Sequence, residues 1–321
     1  MRRLGVLTAV AAIAMATLVV GLGVRGTAAL FSDQETITAS EATAGCFVND
    51  AAAPTISASI VSKTTPYYGG FIKQGAAYYV YANISGAATR VTADVRPLTG
   101  GQYLAPLTAG SYSVGGVAYG WRTASLTAGS PLAEGAYTYS ISAANAALQC
   151  RTASSTVTID HTAPVPTDVD AGNGGVRAVE PDPGDSVIYT FSEPIDPETI
   201  SSGWTGTARN VVVRIQDIGS ADDTLTIWNS TNTVQLPLGQ VDLNANFAVT
   251  DTTFGASGTP STMVASGNTI TVTLGTLSSG EGRKGAKAEM VWTPSAGPTD
   301  AAGNASTTPI VTEGALSDAD F

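Results

Sequence analysis

Few residues in this chain could do covalent or metal chemistry. Its 321 residues include one histidine, His161, and two cysteines, Cys46 and Cys150. A Ser-His-Asp or Cys-His device would have to be built on His161, which falls in a predicted linker. Neither G-x-S-x-G nor H-E-x-x-H occurs, and a zinc site would lack spare Cys or His ligands. G-x-G-x-x-G occurs at residues 21–26 and 280–285. The first lies in an apolar leader and the second joins two strand-like runs, so neither offers the helix N-terminus that holds a pyrophosphate. A glycosidase needs only two carboxylates, and Asp217, Asp222, Asp223, Glu193 and Asp196 are available in loops. Small acidic-looped β-domains are binding modules more often than hydrolases, so no catalytic residue is assigned and no enzyme is expected.

Oxygen ligands are the stronger theme. Asp168-Val169-Asp170-Ala171-Gly172-Asn173 places Asp168, Asp170 and Asn173 between the two halves, a set suited to a hard cation such as calcium. The competing reading is that Asp and Asn are simply good turn formers. No other cofactor is expected. The two cysteines enclose a loop of about 100 residues, and an even thiol count in an exported chain argues for a Cys46–Cys150 bridge. No C-x-x-C spacing supports a metal or redox role instead.

The elements that must position these groups read as strands. Thr, Val, Ile and Tyr are frequent, Gly (35) and Pro (16) are spread throughout, and apolar runs stay short. Residues 55–61, 77–84, 88–95, 136–143 and 155–159 are strand-like in the first half. Residues 211–215, 224–228, 269–274 and 288–293 are strand-like in the second. In the 136–142 run Tyr137, Tyr139 and Ile141 share one face, as a half-buried strand requires. Asn145-Ala146-Ala147-Leu148-Gln149 and Asp300-Ala301-Ala302-Gly303-Asn304 each read as a hairpin turn before a closing strand. Trp121, Trp204, Trp228 and Trp292 read as core or inter-sheet residues, with Trp204, beside Gly203 and Gly206, the best surface candidate.

Residues 1–29 read as a secretory leader: Arg2 and Arg3, an apolar stretch over 6–24, then small residues at 26–29. That stretch nearly reaches the ~20 residues that span a bilayer, so an uncleaved anchor is the competing reading. Removing Arg2, Arg3 and Arg25 takes the formal charge from −11 to about −14. With four lysines (Lys63, Lys73, Lys284, Lys287) and no basic run interleaved with aromatics, nucleic-acid binding has no electrostatic footing. Residues 30–45 form a polar extension that needs a host edge, either on its own first domain or on the next molecule.

The string Gly26-Thr27-Ala28-Ala29-Leu30-Phe31-Ser32-Asp33-Gln34-Glu35 resembles the junction of SipW-type signal peptides, a class carried by biofilm fibre proteins. The resemblance implies cleavage near Ala29. Ser155-Thr156-Val157-Thr158-Ile159-Asp160-His161-Thr162-Ala163-Pro164 resembles the last strand and exit linker of bacterial immunoglobulin-like modules. Tyr189-Thr190-Phe191-Ser192-Glu193-Pro194-Ile195-Asp196-Pro197 and Thr299-Asp300-Ala301-Ala302-Gly303-Asn304 resemble signatures of such domains in tandem on bacterial surface proteins. Within them Phe191, Ser192, Glu193, Pro194, Asp196, Asp300, Gly303 and Asn304 are read as signature turns.

The resulting expectation is all-β: two tandem immunoglobulin-like β-sandwiches after a signal peptide. Residues 1–29 are the leader, 30–45 the extension, 46–162 and 163–313 the sandwiches, and 314–321 an acidic tail expected to be loose. Functionally this implies a secreted or cell-surface structural or adhesive protein that is not held by a membrane once the leader is cleaved. Its partner would be a cell-wall or matrix component, or further copies of itself. The alternatives are a carbohydrate- or protein-binding adhesin module, or a fibre subunit assembled by N-terminal strand addition.

Overall fold

Strict alternation of buried and open side chains along the best strands dictates the architecture, because a strand with one apolar face must lay that face on another layer. The computed structural model describes residues 47–48, 51–63, 68–99, 101, 104–314 and 321. The leader, the SipW-like junction, the 30–45 extension and Cys46 lie outside the described residues. A short strand β1 (Phe47–Val48) precedes one compact unit, Asn49–Phe321. Within that unit the fold is all-β and contains two successive bodies, each around its own apolar core.

The first body contains β2 (Thr55–Ser62), β3 (Phe71–Ile72), β4 (Ala77–Ser85), β5 (Ala88–Asp94), β6 (Ala105–Val114), β7 (Val117–Thr123), β8 (Leu126–Thr127), β9 (Gly135–Asn145) and β10 (Gln149–Ile159). The strand order is β10-β9-β5-β6-β7-β4-β2. β3 lies parallel to the end of β10, and β8 pairs with β4. β6 links the layers, pairing with β5 at Ala105 and Pro106 and with β7 from Leu107 onward. Tyr139, Ile141 and Ala143 of β9 fall on the buried face, beside Val80 and Ala82 of β4 and Val157 of β10. On the outer face of β4, Tyr81 joins Tyr119 and Val114 in a smaller cluster, and the Arg122 guanidinium lies 4.3 Å from the Tyr79 ring centre and 4.4 Å from that of Tyr112.

The second body contains β11 (Pro166–Gly172), β12 (Ser186–Phe191), β13 (Arg209–Gln216), β14 (Thr224–Asn229), β15 (Gln240–Asp242), β16 (Ala248–Phe254), β17 (Ser261–Ser266), β18 (Thr269–Thr273), β19 (Leu277–Gly282), β20 (Val291–Thr293) and β21 (Val311–Thr312). Their order is β11-β12-β18-β17-β13-β14-β15-β20-β21, with β16 joining β13 to β19. β12 buries every second residue, Val187, Tyr189 and Phe191, and Trp292 of β20 meets two of these rings edge-on, at 5.1 Å and 5.3 Å between centroids.

Two expectations are corrected by packing. Trp204, the best surface candidate by its glycine neighbours, is only 2% exposed. Gly203 (φ +70°) and Gly206 (φ +82°) shape a tight turn that folds the indole inward, where its N–H donates to Thr207 O at 2.6 Å. Phe321, placed in a loose acidic tail, is fully buried against Phe247. One aromatic ring gains enough from burial to seat the residue despite the polar chain before it.

Candidate functional site

The signature strings of the second body, more than a hundred residues apart, meet at the end that faces the first body. The Asp196 N–H donates to Thr299 O at 2.7 Å, and the Thr299 N–H donates to the Thr199 hydroxyl at 3.1 Å. Asp196 also caps the helical turn Pro197–Ile200, accepting from the Glu198 N–H through Oδ1. Asp300 closes its own turn: Oδ1 accepts from the N–H groups of Gly303 and Asn304 at 2.6 and 2.7 Å, and Oδ2 accepts from Asn304 Nδ2 at 2.7 Å. Gly303 sits at φ +92°, a conformation that excludes ordinary side chains. Asn145 builds the matching turn of the first body by accepting from the N–H groups of Ala147 and Gln149.

Both lysines of the first body reach this end. Lys63, just after β2, pairs with Asp196 Oδ2 at 2.8 Å and donates to Asp300 O at 3.0 Å. Lys73, just after β3, donates to Gly303 O at 2.6 Å. Asn304 Nδ2 reaches back to Asp160 O at 3.1 Å. The connection between the bodies is tied at nearly every step. Glu134 Oε1 accepts from the His161 N–H and the Thr162 hydroxyl, Pro164 O accepts from the Thr307 N–H, and Val165 and Ser192 exchange two hydrogen bonds.

Between these contacts lies a trio of carboxylates. Oxygens of Asp160, Glu193 and Asp300 all stand within 4.8 Å of one another. Asp300 is buried, and Glu193 Oε1 is enclosed without a hydrogen-bond partner. Loss of water holds the Glu193 carboxyl up at about 7, with the charges of Asp160, Asp300 and Glu134 adding to the effect. Asp160 is raised too, chiefly by desolvation, against the opposing Thr162 N–H bond. Glu134 moves the other way, because the His161 N–H and Thr162 hydroxyl stabilise its charge. Ligand oxygens 2.3–2.6 Å from a calcium ion stand up to about 5 Å apart across it, so the trio has the spacing of a partial cation shell.

The residues singled out for calcium lie elsewhere. Asp168 and Asp170 are both on β11, where Asp168 Oδ1 accepts from the Gly314 N–H at 2.9 Å. Asn173 Nδ2 donates to Arg177 O at 3.1 Å, within a loop organised by Asp182 and Asp185. Of the loop acids considered for catalysis, Asp223 is fully buried and accepts from the N–H groups of Phe247 and Ala248 at 2.6 Å each, so it staples β14 to β16. Asp217 accepts from the Gly219 N–H in a turn. Phe191 is core, Ser192 and Pro194 are exposed in the turn after it, and Cys150 is buried at the start of β10. Sequence reading took Glu193 and Asp300 as turn residues and passed over Asp160; only the Asp160-His161 exit linker and the two strings, read as one surface, would have brought the trio together.

No protein-family model matches the chain, and no curated protein matches it.

Proposed function

We propose that this chain is a secreted or cell-surface structural protein, non-catalytic, in which two immunoglobulin-like bodies are locked into a single rigid rod segment. The observation that carries this reading is the clamp of Lys63 and Lys73 on the 300–304 turn. A flexible tandem would leave these cations in water, where they are most stable alone. Here two of the four lysines of an acidic chain serve the junction. A rigid spacer suits a protein that presents or assembles against a cell-wall or matrix component, or against further copies of itself. The resemblance of the 189–197, 299–304 and 26–35 strings to surface-protein modules and a SipW-type junction supports the same reading, and a Cys46–Cys150 bridge is part of the proposal.

Calcium belongs to this proposal at Asp160, Glu193 and Asp300, whose oxygens gather within 4.8 Å, with Asp168, Asp170 and Asn173 kept as the other candidate set. A divalent ion would offset the desolvation and the repulsion that together raise the Glu193 carboxyl, and would tighten the junction by binding the folded form alone. Small-angle scattering tests the rigid junction, and thermal melting tests the calcium. The double variant Lys63→Ala/Lys73→Ala should gain maximum dimension and flexibility, and the native chain should melt higher with millimolar calcium than with chelator. Superimposable scattering curves for variant and native protein would remove the rigid-junction reading, and equal melting temperatures would remove calcium.

A further inference from the structure

The outer face of the first body carries a cleft that the junction does not use. β9 turns Tyr139, Ile141 and Ala143 into the core, so Thr138 and Ser140 stand on the opposite face. β10 does the same with Val157 and Ile159, which leaves Ser154 outside. Strand register then aligns Ser154 with Ser140, and Ser140 with Asp94 of β5. The helical turn Arg96–Thr99 follows directly and supplies a wall. That wall is fixed, because Leu98 is fully buried and its carbonyl accepts from the Gly129 N–H at 2.7 Å. The cleft holds about 500 Å³, within the ~300–1,000 Å³ of small-molecule sites, and Asp94, Arg96, Pro97, Thr138, Ser140 and Ser154 line it.

Neighbouring hydroxyls are already engaged, that of Ser142 with Thr152 at 2.8 Å and that of Tyr139 with Ser59 at 3.2 Å. Those of Thr138, Ser140 and Ser154 have no protein partner among the described residues. Each can donate and accept, so the hydroxyls of a ligand can replace water there without loss of hydrogen bonds. The charges in the cleft cancel. Asp94 Oδ1 accepts from the Arg96 N–H at 3.2 Å and from Arg96 Nε at 3.0 Å, and Oδ2 accepts from Nη2 at 2.7 Å. This pair offers polar edges with no net charge, which favours a neutral ligand over an ion of either sign. Exposed Pro97 adds apolar surface beside it, as the C–H face of a sugar ring requires.

We propose that this cleft binds a neutral saccharide chain, with Thr138, Ser140 and Ser154 bonding its hydroxyls, the Asp94–Arg96 pair orienting one ring and Pro97 packing on its apolar face. The inference rests on the surface-protein reading for where such a chain is met, and it names the chemistry of the wall or matrix component. The junction variants Lys63→Ala/Lys73→Ala do not touch the cleft, so either reading can fail while the other stands. The test applies the labelled full chain to an array of neutral and acidic glycans, then titrates the neutral oligosaccharide retained most strongly by calorimetry. Native protein should bind it saturably, and Ser140→Leu, which fills the floor of the cleft, should bind at least about tenfold more weakly. Ser154→Leu, at an exposed position on the neighbouring strand, should weaken binding equally with no change in melting temperature, and it carries the test if Ser140→Leu does not fold. Absence of binding to every neutral glycan, or binding confined to acidic ones, would overturn the proposal. Native affinity retained by the folded leucine variants would place the saccharide elsewhere and overturn it as well.

Discussion

Lys63 of the first body and Asp196 of the second stand 2.8 Å apart, with the Lys63 side chain 12% exposed and that of Asp196 fully enclosed. An ion pair this dry is a weak source of stability while intact, but it is costly to break from one side. Lys63→Ala is therefore expected to lower unfolding stability by about 3–5 kcal/mol in urea titration, because the Asp196 carboxylate stays buried without its cation. Lys63→Met combined with Asp196→Asn should recover much of that loss. A single-variant cost below about 1 kcal/mol would show that the pair is open to water.

The Glu193 carboxyl, held at about 7 by desolvation and by its acidic neighbours, gives the junction a pH dependence of known sign. Its folded value lies above its unfolded one, so the folded protein binds a proton that the unfolded chain has already released. Stability must then fall as pH rises from about 4.5 towards 7, and level off above. Asp160, raised in the same direction, extends the slope at its acid end. Exposed Glu134, which is lowered, acts oppositely and at lower pH. Lys63 and Lys73 also face this end. Melting curves between pH 5 and 8, both approximate bounds, should show a decline in native protein that Glu193→Gln flattens. Parallel curves would place the titration elsewhere.

Asp223 offers a test of a structural carboxylate against a catalytic one. Its Oδ2 accepts from two buried backbone N–H groups, those of Phe247 and Ala248. Asp223→Ala strands both, and orphaned buried donors cost about 1–3 kcal/mol each, so a loss of roughly 3 kcal/mol is expected by calorimetry or denaturant titration. A fully stable variant that had lost a hydrolytic activity of the native chain would reverse the assignment.

The bridge expected between Cys46 and Cys150 is open to direct chemistry. Denatured, unreduced mature protein should show no reactive thiol, and reduction should lower stability by up to ~4.7 kcal/mol for a loop of about 100 residues. Two titratable thiols would end that expectation.

Period-2 patterning made much of the fold legible in the sequence. The 136–143 run appears as the middle of β9 because its aromatic and β-branched residues share one face, and the 211–215 run as the heart of β13 because it is nearly all β-branched. The β6–β7 hairpin was not legible: Ala, Gly, Ser and Thr dominate β6, and such residues carry no alternation that distinguishes a strand from a loop. Trp204 misled for a related reason, since neighbouring glycines announce a turn but not the direction in which the turn points its side chain. The junction lay further out of reach. Its chemistry depends on Asp160, Glu193 and Asp300 arriving from three separated segments, with lysines from the other body, and each residue alone reads as an ordinary surface or turn group. Composition and alternation determined that this chain is all-β, acidic and poor in histidine and cysteine, because those properties are local and additive along the sequence. Tertiary structure alone decided which carboxylates lose their water together and that Phe321 packs against Phe247, because desolvation and packing depend on distances that chain order does not encode.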